Sequence, residues 1–195
     1  MKEINIFLAS SIDEFKYERL DLGDFIRRVT DFTIEQDIYL KFTICEDMSN
    51  AVAKSRKQEE FNREIRNSDF FYVIFGNKAG DYTIEELDVA AQHFKKTERP
   101  YIYVYFQKPA EDTAVTENGK AVLERIKKED IGISYRNYSH IDNMKLDIVR
   151  DLIREKAFNG IITIVKEKVL LNGKKLYVTE ALSHENHKNH YGNCR

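Results

Sequence analysis

Two adjacent carboxylates, Glu85 and Glu86, lie in the part of the sequence that is best suited to chemistry. They follow an unbroken apolar run, residues 70–75, and a short loop that contains two glycines. The run is rich in aromatic and β-branched side chains, which is typical of a strand buried on both faces of a parallel sheet. Open α/β sheets bind ligands outside the carboxyl ends of such strands. A half-buried carboxylate at this point is in the right place for catalysis.

The helix predicted after this loop places the two glutamates in different environments. Thr83 and Glu86 have the spacing of a capping box, in front of a helical stripe of apolar residues that begins at Leu87. At about 100° per residue, Glu85 falls almost opposite this stripe and is predicted to be solvated, whereas Glu86 falls at its edge. Glu86 therefore has two interpretations, a structural cap and a catalytic group, which do not exclude each other.

Strands and helices alternate through most of the chain. The strands are predicted over about residues 4–9, 37–45, 70–75, 101–106 and 131–138, and the helices over about residues 13–32, 55–67, 120–128 and 143–157, besides the helix that carries Glu86. This alternation indicates right-handed βαβ crossovers and a parallel sheet with helices on both faces. The predicted fold is a flavodoxin-like, three-layer α/β fold with a five-stranded sheet in the order 2-1-3-4-5. In that order the first and third strands are neighbours, so Ser10 and Ser11, which follow the first strand, are expected to converge with Glu86.

The pattern changes to strands alone near the C-terminal end. Residues 161–171 and 175–179 are predicted to pair as a β-hairpin around Asn172-Gly173, the strongest short hairpin signal. We therefore divide the chain into an α/β domain over residues 1–159, a β-hairpin appendage or the start of a further module over residues 160–182, and a polar, disordered tail over residues 183–195.

Neither the histidines nor the cysteines indicate a metal site. The tail spaces His184, His187 and His190 by three residues, but it offers no carboxylate or thiolate partner in a defined fold. Cys45 and Cys194 cannot make a disulfide framework or a set of metal ligands, which favours a reducing compartment.

Composition and charge narrow the class of partner. The 31 Lys and Arg residues nearly balance the 33 Asp and Glu residues, and a formal net charge of -2 gives no reason to expect a nucleic-acid partner. The sequence shows no signal-peptide pattern and no apolar stretch of transmembrane length, so we predict a soluble, cytoplasmic protein without a membrane partner. The charged helix over residues 55–67 is most simply a solvated face, with a contact between copies as the alternative.

Several catalytic motifs are missing from the sequence. No predicted strand is followed by a phosphate loop of the Walker type or by a glycine-spaced dinucleotide fingerprint, which argues against kinases, ATPases and Rossmann-type dehydrogenases. A receiver domain needs a phosphoacceptor aspartate at the end of the third strand, where Phe75-Gly76 stands. Neither Ser10 nor Ser11 lies in a nucleophile elbow or has an identifiable histidine partner.

Three groups of residues together carry a resemblance to a known family. They are Phe7-Leu8-Ala9-Ser10-Ser11 with Glu14 and Arg19; Arg56, Gln58, Asn62 and Ile65, which lead into Ser68-Asp69; and Tyr82-Thr83 with Glu86 and Ala90. In their order and spacing they resemble the bacterial TIR-like domains, which belong to a superfamily shared with the nucleoside 2-deoxyribosyltransferases. The resemblance covers about residues 4–157 and leaves the hairpin and the tail unexplained.

This resemblance implies a fold, an activity and a set of site residues. Catalytic members of the family have a flavodoxin-like fold and cleave the bond between nicotinamide and ribose in NAD. The family's catalytic glutamate maps onto Glu86. The implied substrate-binding residues are Ala9, Ser10, Ser11, Tyr82 and Thr83. Many TIR domains also carry a tryptophan or cysteine a few residues before the glutamate, where this chain has Tyr82 or Thr83.

The implied chemistry needs only one carboxylate. Nicotinamide is a cationic leaving group, so cleavage passes through an oxocarbenium-like ribose that a nearby negative charge stabilises. NAD is then a substrate, and no cofactor is expected. Burial would raise the pKa of the Glu86 carboxyl group, while the helix N-terminus would lower it.

The leading hypothesis is an NAD-cleaving, TIR-like enzyme of the nucleosidase or cyclase type. On the family resemblance it would be an effector of prokaryotic defence, active as a homo-oligomer once copies assemble. Two alternatives stay open. One is a non-catalytic TIR scaffold for self-association or partner recruitment; the other is base exchange on a deoxynucleoside, with the glutamate as covalent nucleophile.

Overall fold

The computed structural model of the protein describes residues 1–44, 54–76, 79–108, 119–122, 124 and 135–179. The strands of the main sheet are β1 (Lys2–Ser10), β2 (Ile38–Thr43), β3 (Phe70–Phe75), β4 (Tyr101–Gln107) and β5 (Tyr135–Tyr138). The helices are α1 (Lys16–Thr33), α2 (Lys54–Asn67), α3 (Asp81–Thr97) and α4 (Ile141–Arg154). Three further strands follow, β6 (Ile162–Val165), β7 (Lys168–Leu171) and β8 (Lys174–Val178).

The main sheet is parallel, and its strand order is β2-β1-β3-β4-β5. The order predicted from the sequence is thereby confirmed. The register pairs Ser10 of β1 with Ile74 of β3, and Gln107 of β4 with Tyr138 of β5. Because all of these residues lie at or next to the carboxyl ends of their strands, four strand ends share one edge of the sheet.

The apolar core lies on both faces of this sheet. All six residues of β3 are buried, as predicted for its apolar run. One face carries Phe71, Val73 and Phe75, which share a core cluster with Ile65 of α2 and Leu87 of α3. Helices α2 and α3 therefore cover this face.

The opposite face of the sheet packs against the other two helices. Here Tyr72 and Ile74 share a core cluster with Leu22 of α1 and Val149 of α4. The molecule thus has the three layers predicted, with α1 and α4 on one side of the sheet and α2 and α3 on the other.

The C-terminal strands form an antiparallel sheet rather than a single hairpin. The turn at Asn172-Gly173 is observed, and both residues have positive φ angles (51° and 78°), as a tight hairpin turn requires. The predicted long first strand is broken, however, by a second turn at Lys166-Glu167. Lys166 reaches a φ of 54° without being glycine or asparagine, so the sequence carries no signal for this turn. The sheet order is β6-β7-β8.

This small sheet packs against helices α1 and α4. The rings of Phe25 in α1 and Tyr177 in β8 meet edge to face at 5.4 Å, and the Tyr177 hydroxyl donates a hydrogen bond to the Asp142 carbonyl oxygen at 3.1 Å. Leu171 and Leu176 are buried in the same core cluster as Phe25. The C-terminal sheet therefore extends the core of the α/β unit.

Some predictions fall outside the described residues. These are most of the helix over residues 120–128, the polar tail with its three histidines, Cys45 and Cys194. In the ranges that the structure does describe, no helix combines the length and the apolar character that crossing a membrane requires.

Candidate active site

The helix that carries Glu86 begins earlier than the capping-box spacing predicts. α3 starts at Asp81 with Gly80 in the N-cap position, and no side-chain hydrogen bond from the described residues caps it. Thr83 lies in the first turn and Glu86 in the second, so the predicted capping box is not formed. Gly80 is extended, and the negative charge of Asp81 in the first turn suits the positive end of the helix dipole. Helix capping therefore does not explain the position of Glu86.

The Glu86 side chain is buried although it carries an ionisable group. It is 8% exposed, whereas Glu85 is exposed, as the helical stripe predicts. Burial raises the pKa of Glu86 to about 7; the positive charge of Arg19 acts against this rise, and the negative charge of Glu85 adds to it. Desolvation thus outweighs the lowering expected from the helix N-terminus. The carboxyl group is partly ionised near neutral pH.

Arg19 is a shared neighbour of Glu86 and the end of β1. Its side chain is 1% exposed, and its Nη1 atom donates hydrogen bonds to Ser10 Oγ at 2.7 Å and to the Ser10 carbonyl oxygen at 3.0 Å. Its effect on the pKa of Glu86 means that the guanidinium also lies near that carboxyl group. Arg19, Ser10 and Glu86 are therefore neighbours at the junction of β1 and β3, where the strand order predicts that Ser10 and Glu86 converge.

The sequence pattern alone did not single out Arg19, which entered only through the family resemblance. A signal was nevertheless present. Arg19 stands four residues after Phe15, the N-cap residue of α1, and three before Leu22, and both of these residues are fully buried. A charge within a buried helical stripe must find polar partners, because an unpaired buried charge is costly.

Of the three residues predicted to bind substrate around the end of β1, Ala9 and Ser10 belong to the strand and Ser11 follows it. Ala9 is 1% exposed and packs with Phe7 in the apolar core beside α2 and α3, so its side chain does not line the group around Arg19. Ser10 contacts Arg19. Ser11 is half-buried, and its carbonyl oxygen accepts a hydrogen bond from the Phe15 N–H at 3.1 Å.

The two predicted residues at the start of α3 have different environments. Tyr82 is 58% exposed, so its ring is accessible from solvent. Thr83 is 4% exposed and lies close to Gly80. Their roles in substrate binding stay predictions, as do those of Ala9, Ser10 and Ser11.

A second carboxylate, Glu14, lies against the end of β3. A Cβ atom added at Gly76 would collide with the Glu14 carboxylate and with the buried ring of Phe15. Glycine at the end of β3 is therefore what allows Glu14 to approach the backbone at this edge. Within the described residues, no group of three or more His, Cys, Asp or Glu side chains is arranged to hold a metal ion.

The fold and the site together define a class: a flavodoxin-like α/β protein with a buried carboxyl group at the junction of its first and third strands. No protein-family model matches the chain, and no curated protein matches it in sequence. One solved structure similar to it is the CMP N-glycosidase BcmB of Clostridium botulinum, with 16% identity and a TM-score of 0.47, covering 75% of this chain and 98% of that chain.

A second similar structure is the flavodiiron core of Flv1 from Synechocystis sp. PCC6803. The identity is 13% and the TM-score 0.41, and the match covers 80% of this chain and 37% of that chain. Neither likeness identifies a family or a substrate for this protein.

Proposed function

We propose that this protein cleaves the N-glycosidic bond of a nucleotide, and that its substrate is NAD, split between nicotinamide and ribose. The observation that carries the proposal is the state of Glu86. Its carboxyl group is 8% exposed, has a pKa near 7, has no capping role and shares Arg19 as a neighbour with Ser10. Carboxyl groups whose pKa is perturbed by burial and by a specific charge partner are candidates for catalysis.

The reaction needs few groups. The bond between the nicotinamide nitrogen and C1′ of the ribose breaks, and its electron pair neutralises the positive charge of the pyridinium ring. The ionised Glu86 carboxylate stabilises the resulting oxocarbenium ion. Water then attacks C1′ and loses a proton, which gives ADP-ribose; attack by a ring nitrogen of the adenine gives a cyclic product instead.

Ser10 has a role in orienting the substrate. Its hydroxyl oxygen accepts a hydrogen bond from Arg19, so its own hydrogen can be donated to an oxygen of the ribose or phosphate. Such a bond would hold the ribose beside Glu86 and contribute by positioning rather than by chemistry.

The buried carboxyl group favours an enzyme over the scaffold alternative. Keeping an ionisable side chain at 8% exposure destabilises the folded protein whenever that side chain is charged. A protein that only assembles gains nothing from this cost, whereas a catalytic site needs the group. Active sites regularly sacrifice stability in this way.

The direct test compares Glu86→Gln with Glu85→Gln. Both variants remove one carboxylate from the same turn of α3, but only Glu86 is buried. We expect Glu86→Gln to lower kcat/KM for NAD at least 100-fold and Glu85→Gln to leave it within about twofold. Chromatography of the nicotinamide released at high protein concentration measures the activity of both variants. Persistent NAD cleavage by Glu86→Gln would show that Glu86 is not the catalytic group.

The pH profile adds a second readout. Because the ionised form of Glu86 is the active one, kcat/KM for NAD should rise with pH and level off above about 7, the pKa of this group in the free protein. CMP and a deoxynucleoside, supplied in parallel, separate NAD cleavage from other N-glycosidic chemistry and from base exchange. For these substrates the base is a poorer leaving group, so a protonated acid is needed besides the ionised Glu86, and the profile would be bell-shaped instead of levelling off.

On the resemblance to TIR-like domains, we also propose that the enzyme is an effector of prokaryotic defence and that assembly of copies activates it. NAD cleavage per molecule should then increase with protein concentration, in step with the oligomer fraction seen by sedimentation. Assembly without any NAD loss would instead support the scaffold.

A further inference from the structure

We propose that Glu18, Gln107 and Tyr138 form a second subsite at the carboxyl edge of the sheet, which recognises the carboxamide of the leaving group. This proposal rests on the proposed function, since it names the part of the substrate that lies farther along the sheet edge from Glu86.

The first observation is a buried hydroxyl group that lacks a partner. Tyr138 is the last residue of β5, is 3% exposed, and its hydroxyl group has no hydrogen-bond partner among the described residues. Leaving a buried hydroxyl unsatisfied costs about 1–3 kcal/mol. Native proteins normally satisfy such groups, so an orphaned one at the edge of an open α/β sheet where ligands bind points to a ligand.

The second observation is what faces this hydroxyl. Burial raises the pKa of Tyr138, and the negative charges of Glu18 and Glu14 raise it further. These two carboxylates, Glu14 in the turn before α1 and Glu18 in its first turn, therefore lie near the phenolic oxygen.

The third observation is the long contact beside it. Gln107 Nε2 donates to Glu18 Oε1 at 3.4 Å, near the upper limit for a hydrogen bond. Both residues are half-buried, and Gln107 is paired with Tyr138 in the sheet register. A ligand can therefore replace this weak contact at little loss, with Tyr138 as the floor of the subsite.

The dimensions suit a ribosyl substrate. The four strand ends from β1 to β5 are spaced by about 4.8 Å each, so the edge from Ser10 to Tyr138 is roughly 14 Å long. Arg19 binds at the end of β1, and Glu18 binds at the end of β4. These two strand ends are two strand spacings, roughly 10 Å, apart. A ribose beside Glu86 thus leaves room for its ring substituent to extend over β4 and β5.

The donors and acceptors match a carboxamide. The Glu18 carboxylate only accepts hydrogen bonds, and the Tyr138 hydroxyl can donate one. A carboxamide offers an N–H₂ group to the first and a carbonyl oxygen to the second. A carboxylate in its place would be repelled by Glu18 and Glu14. The subsite should therefore distinguish NAD from nicotinic acid adenine dinucleotide, which differs only in this group.

The test uses two variants and one matched control. Tyr138→Phe removes only the hydroxyl group. Tyr72→Phe makes the same change at another buried hydroxyl without a partner among the described residues, but its neighbours include Tyr103, Tyr105 and Asp151 and not the carboxylates of Glu14 and Glu18. We expect Tyr138→Phe to raise KM for NAD about 5- to 10-fold, and Tyr72→Phe to leave it unchanged. Equal effects of the two variants would overturn the proposal.

Glu18→Gln provides the second variant, since its half-buried side chain makes a folding defect less of a concern. We expect the preference for NAD over nicotinic acid adenine dinucleotide to fall at least 10-fold, because the repulsion of the carboxylate is lost. An unchanged preference would contradict the subsite.

Binding of free nicotinamide tests this inference separately from the proposed function. Saturation-transfer NMR with nicotinamide and with nicotinate needs no turnover. Nicotinamide binding that Tyr138→Phe weakens and Tyr72→Phe does not would support the subsite even if NAD were not cleaved. NAD cleavage with no difference between the two variants in either assay would refute the subsite and leave the proposed function intact.

Discussion

At the scale of single residues, Glu86 has an unusual balance of forces. Burial favours its neutral form, Arg19 favours its charged form, and the result is a pKa near 7 instead of the ordinary value of 4.5. Such a group changes its charge within the physiological range of pH. Arg19 has a double function here, because it also holds the Ser10 hydroxyl at the end of β1.

The stability of the Glu86→Gln variant should depend on pH. The pKa of Glu86 is raised on folding, so its destabilising effect is absent below about 4.5, grows between 4.5 and 7, and is complete above 7. Replacing the carboxylate by a neutral amide removes this penalty. We therefore compare the unfolding free energy of Glu86→Gln with that of the natural protein at two pH values. We expect the advantage of the variant to be on the order of 3 kcal/mol larger at pH 8 than at pH 4.

Urea unfolding at both pH values measures this difference. Glu85→Gln is the matched control, since Glu85 is exposed and should show no comparable change with pH. A gain for Glu86→Gln that is the same at pH 4 and pH 8 would mean that ionisation is not the source of the penalty.

At the scale of the elements, the site depends on how closely α1 and the turn before it approach the strand ends. Arg19 reaches β1, Glu14 lies against the end of β3, and Glu18 accepts a hydrogen bond from β4. Helix α1 and the turn before it thus supply polar groups to three neighbouring strands. Gly76 at the end of β3 provides the space for this approach.

Gly76→Ala should therefore destabilise the protein and displace Glu14 from the end of β3. The added methyl group would collide with the Glu14 carboxylate and the fully buried ring of Phe15, and overpacking of this kind costs about 1–3 kcal/mol. Gly23→Ala is the control, because a Cβ there would meet only Phe42, at an ordinary 3.8 Å. In the interior of α1 it should stabilise by about 0.5–1 kcal/mol. Thermal unfolding distinguishes the two, and equal melting temperatures would contradict this account of Gly76.

At the scale of the whole molecule, the C-terminal sheet is part of the same core as the α/β unit. Four of its side chains, Val169, Leu171, Leu176 and Tyr177, are at most 5% exposed and belong to the cluster beneath α1 and α4. The proposed boundary after residue 159 therefore separates two patterns in the sequence but cuts through one packed interior.

Truncation after residue 159 should leave a poorly folded protein. Each of the four buried side chains contributes roughly 1.5–3 kcal/mol, and a typical domain has a total stability of about 5–15 kcal/mol. Truncation after residue 182, which removes only the polar tail, is the control and should leave the unfolding free energy within about 1 kcal/mol. Circular dichroism and urea unfolding provide the measurement. A cooperative transition of full size in the shorter chain would show that the α/β unit folds alone.

The sequence by itself determined the features that depend on local periodicity. The alternation of strands and helices predicted the order 2-1-3-4-5, the apolar run of β3 predicted burial on both faces, and the helical stripe predicted that Glu85 is exposed. Each follows from residues that are close in the chain, since the periods of strand and helix are properties of short segments.

Only the tertiary structure decided the rest. It showed that α3 begins before Thr83, that Lys166-Glu167 turns the chain into a third C-terminal strand, and that Ala9 packs in the core. It also brought Arg19 to Ser10 and buried Glu86 deeply enough to raise its pKa to about 7. These outcomes depend on desolvation and on contacts between segments distant in sequence, which no local pattern encodes.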